Sequence, residues 1–414
     1  MLQQADRPGL RSDLETFPLE SDLVVFCEAT QRVISLNESA AFIFRALQRG
    51  AAVKEVERAI ASEGLVAISE SGGWVRTTID AFRSQGMLAD QSVPEREIAR
   101  NDDGAFATHR VAGMPEYELL KHVTERRYQL LDTSAVVRFA HLAQVRLVES
   151  VIGHLATTRL SANTILIEIH GRVLENGHMR SDVYCDGEAV GFAPRLSMLA
   201  PIVKAALWQK AINAYDFLFY LHAGVLGLGT SCLLLPASAG SGKSSLTAAL
   251  TRSGLDYLSD EVALLERTTF RVPPMPFAIC VKNTGWEVIA PHYADFDKFP
   301  IHDREDGKRV RYIPPPATVP AGALPVSHII FPRFQPEGPT ALVPLARSAA
   351  LGRLMEECVA LRQRLDRETV DRLVRWMAGL QCFALSFSAL DDAVRLIRRE
   401  VQGESASSSQ AGPV

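Results

Sequence analysis

Between Leu233 and Leu246 the chain reads LLLPASAGSGKSSL. No other stretch restricts the fold as strongly. Three leucines and a cysteine before them make a short apolar run suited to a buried strand. Gly240 and Gly242 permit a tight reversal, and Lys243 and Ser244 then begin SLTAALTRSG, a helix that stops at Gly254. A buried strand that turns directly into a helix points several backbone N–H groups at one place, which suits phosphate oxygens. In such a loop the lysine reaches the outer phosphates and the serine hydroxyl reaches Mg²⁺. Ala237 stands where the common pattern has glycine, and alanine serves there if its φ is negative. The chain is therefore expected to build an α/β body around this loop, with Ala239, Gly240, Ser241, Gly242, Lys243, Ser244 and Ser245 binding ATP.

A P-loop needs a carboxylate to complete the metal site. LDYLSDEVALLE, residues 255–266, reads as strand, turn and strand, with Asp260 and Glu261 in the turn. One carboxylate of such a pair suits Mg²⁺, and the other suits the proton of an attacking hydroxyl. Ser244 and Asp260 are accordingly the expected metal ligands. His222, Lys243, Asp260 and Glu261 are the expected catalytic group.

The segment from His222 to Glu266 resembles the core of HPr kinase/phosphorylase, a bacterial serine kinase. His222 lies 21 positions before Lys243, and Asp260 and Glu261 lie 17 and 18 after it. The resemblance implies a P-loop kinase core of that type, a mixed sheet with helices. It places His222 near the transferring phosphate and Glu261 at the catalytic-acid position. The chain departs from the family in three places. It has Asp-Glu for Asp-Asp, Ser245 for a glutamate after the P-loop serine, and no Glu-x-Arg-Gly motif; Lys282 in AICVKNTGWEVI stands roughly there. These departures imply kinase activity without efficient phosphorolysis. EDGKRVRYIPPP, residues 305–316, is a candidate basic loop facing substrate or phosphate.

The N-terminal part has a different pattern. DLVVFCEATQRVISLN suggests a hairpin. Asn37 then caps a helix in ESAAFIFRAL, AVKEVERAIAS gives a second, and after Gly72-Gly73 WVRTTIDAFRSQGML gives a third. Residues 17–90 resemble the PqqD family, small winged-helix-like α+β domains that bind precursor peptides by pairing a strand. The expected division is a peptide-recognition domain at 1–95, a linker at 96–115, a kinase domain at 116–402 and a disordered tail at 403–414. Residues 116–220 carry no recognisable motif. Their strand at 164–172, hairpin turning at Asp186-Gly187 and helix at 195–217 extend the α/β body. Later come helices near 349–365 and 367–379, and a last helix with a Ser388-x-x-Asp391 capping box.

Composition excludes more than it assigns. A net charge of −4 and a pI of about 6.2 offer no general attraction to nucleic acid or anionic membrane. The N-terminus lacks an apolar core, and no run approaches the ~18 apolar residues of a membrane span. Six cysteines without CxxC spacing read as reduced, buried thiols of a cytoplasmic protein. The expected function is an ATP- and Mg²⁺-dependent kinase. Its acceptor would be a serine on a peptide or small protein recruited through residues 17–90, and a homo-oligomer is compatible with this. A nucleotide-gated peptide chaperone or sensor without catalysis, and a small-molecule kinase, are the alternatives.

Overall fold

A computed structural model of the chain describes residues 7–67, 69–89, 99–100, 122–173, 179–316 and 322–402. It is a mixed α/β protein with several sheets, and it divides into two compact units. Most of the linker expected at 96–115, and the whole tail at 403–414, lie outside the described residues. Among those described, no helix is long and apolar enough to cross a membrane.

The first unit is Met1–Ile98 together with Pro344–Cys358 and Gln363–Phe383. Strands Leu14–Leu19, Asp22–Cys27 and Arg32–Leu36 form an antiparallel sheet in chain order. The first of these is absent from the sequence reading, because Pro18 interrupts its pattern. Proline is tolerated at a sheet edge, and this strand is an edge. Helices Glu38–Gln48, Val53–Ser62 and Ser71–Ser84 follow. Asn37 caps the first through a side-chain bond from the Ala40 amide at 3.0 Å. Gly72 and Gly73 do not break the chain but lie in the first turn of the third helix. Four amides there lack intrahelical acceptors in any sequence, and Val75, Ile79 and Phe82 fix the helix by burial.

Every residue of strand Asp22–Cys27 is buried, so both of its faces are covered. Leu23 and Val25 join the core of the three N-terminal helices. Helices Arg347–Glu356 and Arg367–Ala378 also pack against this sheet. Gln31 fastens the connection between them, accepting from the Leu365 amide at 2.7 Å and donating to the Leu365 carbonyl at 3.0 Å. Contacts therefore divide the chain differently from the expected boundary near residue 95: residues 344–383 contribute largely to the N-terminal unit.

The second unit is the body. Strands Thr124–Leu130, Thr133–Phe139, Asn163–Val173, Met179–Cys185 and Glu188–Ala193 form one sheet in chain order. The hairpin turns at Asp186 and Gly187, with φ of 51° and 81°, the left-handed pair that a two-residue hairpin loop requires. Helix Leu199–Ala214 packs on this sheet and shares a core with Phe277, Cys280 and Tyr312.

A second sheet holds strand Ser231–Pro236, which leads into the glycine-containing loop 237–242. One neighbour is Ala223–Leu228, antiparallel, with Asp256–Ser259 beyond it; the other is Val326–Phe334, parallel. Ala263–Glu266 instead pairs with Phe217–Leu221 in a third sheet. The strand, turn and strand expected around Asp260-Glu261 is present, and its turn is a crossing between two sheets. The last helix, Leu390–Val401, begins at Ala389 without a side-chain cap. Ser388, expected to cap it, donates to the Gly338 carbonyl at 2.9 Å instead. All six cysteines are free thiols, five of them buried.

Candidate functional site

Register brings the expected catalytic residues together. Ala223 pairs with Pro236, so His222 sits beside the start of the P-loop. The Ala237 amide donates to the His222 carbonyl at 3.3 Å. Ser259 pairs with Val225 on the other side of the same strand, which puts Asp260 and Glu261 at the same end of the sheet. His222, the P-loop and the two acids therefore meet, although they lie on three strands.

The loop itself needs its glycines. Gly240 and Gly242 have φ of 93° and 84°, and Gly242 caps helix Lys243–Arg252. A Cβ on Gly242 would lie 2.7 Å from Phe387 Cζ and 3.3 Å from Phe334 Cβ. These two rings pack edge to face at 5.6 Å, and the Phe334 amide donates to the Ser241 carbonyl at 3.0 Å. The loop is thus pinned against an aromatic pair. Gly242→Ala is expected to weaken nucleotide binding and lower the melting temperature, because both the left-handed φ and the contact resist a side chain. A folded variant with unchanged melting temperature and nucleotide affinity would contradict this. Close approach on the helix's other side depends on Gly224, where a Cβ would meet Thr247 Oγ1 at 2.5 Å.

Ala239 and Gly240 are exposed at the tip, whereas Lys243 is buried, with 6% of its surface exposed. Lys243 acts electrostatically on His222, Asp260 and Glu261. Burial, then the charges of Lys243 and Lys282, push the His222 imidazole down to about 4. His222 is therefore neutral near pH 7.

The two carboxylates differ. Burial, reinforced by repulsion from Glu261, raises Asp260 to about 6, against the pull of Lys243 and hydrogen bonding by Ser244 and the Cys280 amide. That amide donates to Asp260 Oδ2 at 3.3 Å. The other oxygen, Oδ1, is buried and has no hydrogen bond of ordinary geometry among the described residues. Burial works to raise Glu261 too, but the Lys204 ammonium, with Arg304 and Lys243, overcomes it and lowers Glu261 to about 2. Lys204 Nζ lies 2.5 Å from Glu261 Oε2. It is 7% exposed and sits near the faces of Phe277, Tyr312 and Trp208 at 5.2, 5.5 and 5.8 Å.

A divalent cation fits this arrangement. A P-loop hydroxyl lies beside a buried carboxylate with an unsatisfied oxygen, and Mg²⁺ favours one or two such protein oxygens completed by phosphate and water. Among the described residues, no group of three or more His, Cys, Asp or Glu could hold a metal by itself.

Lys204, Arg304 and the Cys280 amide escaped the sequence reading. The available signal for Lys204 was its isolation in LAPIVKAALW, a single charge in an apolar helix. The basic segment 305–316 is occupied mainly by its own neighbours. Lys308 pairs with Asp306 at 3.0 Å, and Arg311 donates to the Phe296 carbonyl at 2.7 Å while lying over Trp286. Lys282 ends strand Ile279–Lys282 and contributes charge near His222.

No protein-family profile matches the chain, and no curated protein matches it. Among solved structures it is similar to TbiB1 in complex with the TbiA(beta) leader peptide. The identity is 16%, the match covers 20% of this chain and 99% of that one, and the TM-score is 0.19.

Proposed function

We propose that the chain is an ATP-dependent kinase that phosphorylates a hydroxyl, most simply a serine, on a peptide or small protein. One observation carries the reading: Lys243, the Ser244 and Asp260 pair and the ion-paired Glu261 share one end of a sheet at the start of a P-loop helix. Bound ATP supplies the transferable phosphoryl group, and Mg²⁺ neutralises part of its charge. Amides of residues 239–245 hold phosphate oxygens. Lys243 balances the charge that builds on the transferring group. Ser244 and Asp260 hold the cation. Glu261 accepts the hydrogen bond of the acceptor hydroxyl and takes its proton as the new O–P bond forms and the bond to the ADP oxygen breaks. Little proton transfer precedes a loose phosphoryl-transfer transition state, so a carboxylate held near 2 remains usable. Neutral His222 adds no positive charge beside the phosphates. The PqqD-like residues 17–90 recruit the peptide.

The experiment offers Mg²⁺, ATP labelled at the γ position and a pool of serine-containing synthetic peptides to the full chain. ADP formed in step with labelled peptide is expected. Nucleotide binding without any turnover would overturn the kinase reading in favour of a nucleotide-gated binding protein.

A further inference from the structure

The body contains a cavity of about 510 Å³, within the ~300–1,000 Å³ range of ligand pockets. Its walls come from strand Glu188–Ala193 and helix Leu199–Ala214, a region without any sequence motif, and from residues 303–306 and Tyr312. Phe192, Ile202, Trp208 and Tyr312 give it apolar and aromatic surface. Glu261 is also part of the wall. The cavity therefore runs up to the carboxylate that is paired with Lys204 and lies within the electrostatic reach of Lys243. Ala205, Glu305 and Asp306 are exposed at its margin, so it is open on one side.

The charges of the wall do not balance. Among the lining residues Glu261, Asp303, Glu305 and Asp306 stand with Lys204 and Arg304, and Lys308 beside the wall also pairs with Asp306. Glu261 is paired with Lys204 at 2.5 Å and Asp306 with Arg304 at 3.2 Å. Asp303 Oδ2 accepts from the Ser197 hydroxyl at 2.6 Å, and neither Asp303 nor Glu305 forms an ion pair within 4.0 Å among the described residues. The Trp208 indole N–H finds no acceptor among the described residues.

We infer that this cavity seats the peptide residues flanking the acceptor hydroxyl, and that it selects an apolar or aromatic side chain followed by a positive charge. The inference rests on the kinase reading for the word acceptor, but not for binding. The apolar wall takes the ring, the Asp303 and Glu305 carboxylates attract the cation, and the serine is brought to Glu261. Lys204 is a positioning residue: it holds Glu261 at the cavity wall and is itself held among aromatic rings.

The test uses the full chain and three acetylated, amidated pentapeptides. In these, serine is flanked by Phe and Lys, by Phe and Glu, or by glycines. Binding is followed by Trp208 fluorescence, with Trp208→Phe as the control for its origin, and phosphorylation by label transfer. The Phe/Lys peptide is expected to bind about tenfold or more tightly than the glycine peptide, as for a filled apolar pocket. Ala205→Trp, at an exposed position, should raise KM for that peptide without altering affinity for a fluorescent ATP analogue. Glu305→Lys should shrink or reverse the preference for Phe/Lys over Phe/Glu. Equal binding of all three peptides, or indifference to both substitutions, overturns the inference. Peptide binding that depends on Trp208 without label transfer supports the cavity assignment and sinks the kinase reading instead.

Discussion

Lys243→Ala is expected to remove phosphoryl transfer while leaving a folded protein. Lys243 is buried at the first position of the P-loop helix, close enough to act on both acids and on His222. Losing a preorganised positive group opposite developing charge reduces turnover by at least about 10²–10³-fold. The fold should persist, because helix Lys243–Arg252 is anchored by Leu246, Ala248 and Leu250, which are fully buried. Alanine also favours the helix. Without the lysine, Asp260 loses the main group opposing its burial, so its carboxyl should hold its proton to a higher pH. Circular dichroism and melting temperature report the fold, and ADP release reports the chemistry. Near-normal turnover in a folded variant would remove Lys243 from the mechanism.

The second large effect is expected at the acid pair. Glu261→Gln should lower the rate of transfer by about 10²–10⁴-fold, the usual size of general-base loss, with little change in Mg²⁺ requirement. Asp260→Asn should mainly raise the Mg²⁺ concentration needed. The pH dependence separates the two. Asp260 titrates at about 6 in the free protein. Below that pH a proton occupies the carboxylate proposed to hold the cation, so apparent Mg²⁺·nucleotide affinity should fall as pH drops through 6. Glu261, held near 2 by Lys204, stays ionised over the same range and should add no acid limb. In Lys204→Met the burial of Glu261 is no longer offset by its main counter-charge, so the carboxyl should rise from its depressed value, and an acid limb should enter kcat from below. Single-turnover transfer rates and Mg²⁺ titrations from pH 5 to 8 give both quantities. If Glu261→Gln transfers phosphate at a near-normal rate, or Asp260→Asn leaves the Mg²⁺ dependence untouched, the roles assigned to the pair are wrong.

Domain boundaries were the least legible part of the sequence. A cut at residue 95 is what composition suggests for isolating the N-terminal part. Such a truncation would uncover Val370, Leu373 and Met377, which are buried in the unit that contains residues 1–98. Loss of activity after it would report unfolding as readily as lost recruitment of a peptide. Helix Arg367–Ala378 reads from sequence as an ordinary amphipathic helix, and nothing in its pattern says which sheet its apolar face will meet. The same limit left the partners of Asp256–Ser259 and Ala263–Glu266 unassigned, since two apolar runs around a short polar break are identical in sequence whether they pair with each other or with different strands.

What the sequence determined by itself is local. The strand-to-helix loop depends on glycines that alone tolerate φ near 84–93°, on an apolar run before them and on a helix start after them, all within fourteen residues. The turn at Asp186-Gly187 and the Asn37 cap were legible for the same reason, because backbone sterics and capping act over a few positions. Tertiary structure decided the electrostatics. Lys204 meets Glu261 across 57 positions of chain, and the Cys280 amide meets Asp260 across 20. A carboxylate's pKa is set by how much water is removed from it and by which charges replace that water. Adjacent acids with nearly the same chemistry therefore separated, one raised to about 6 and the other lowered to about 2, because packing gave Glu261 a direct ion pair with Lys204 while Asp260 feels Lys243 without one.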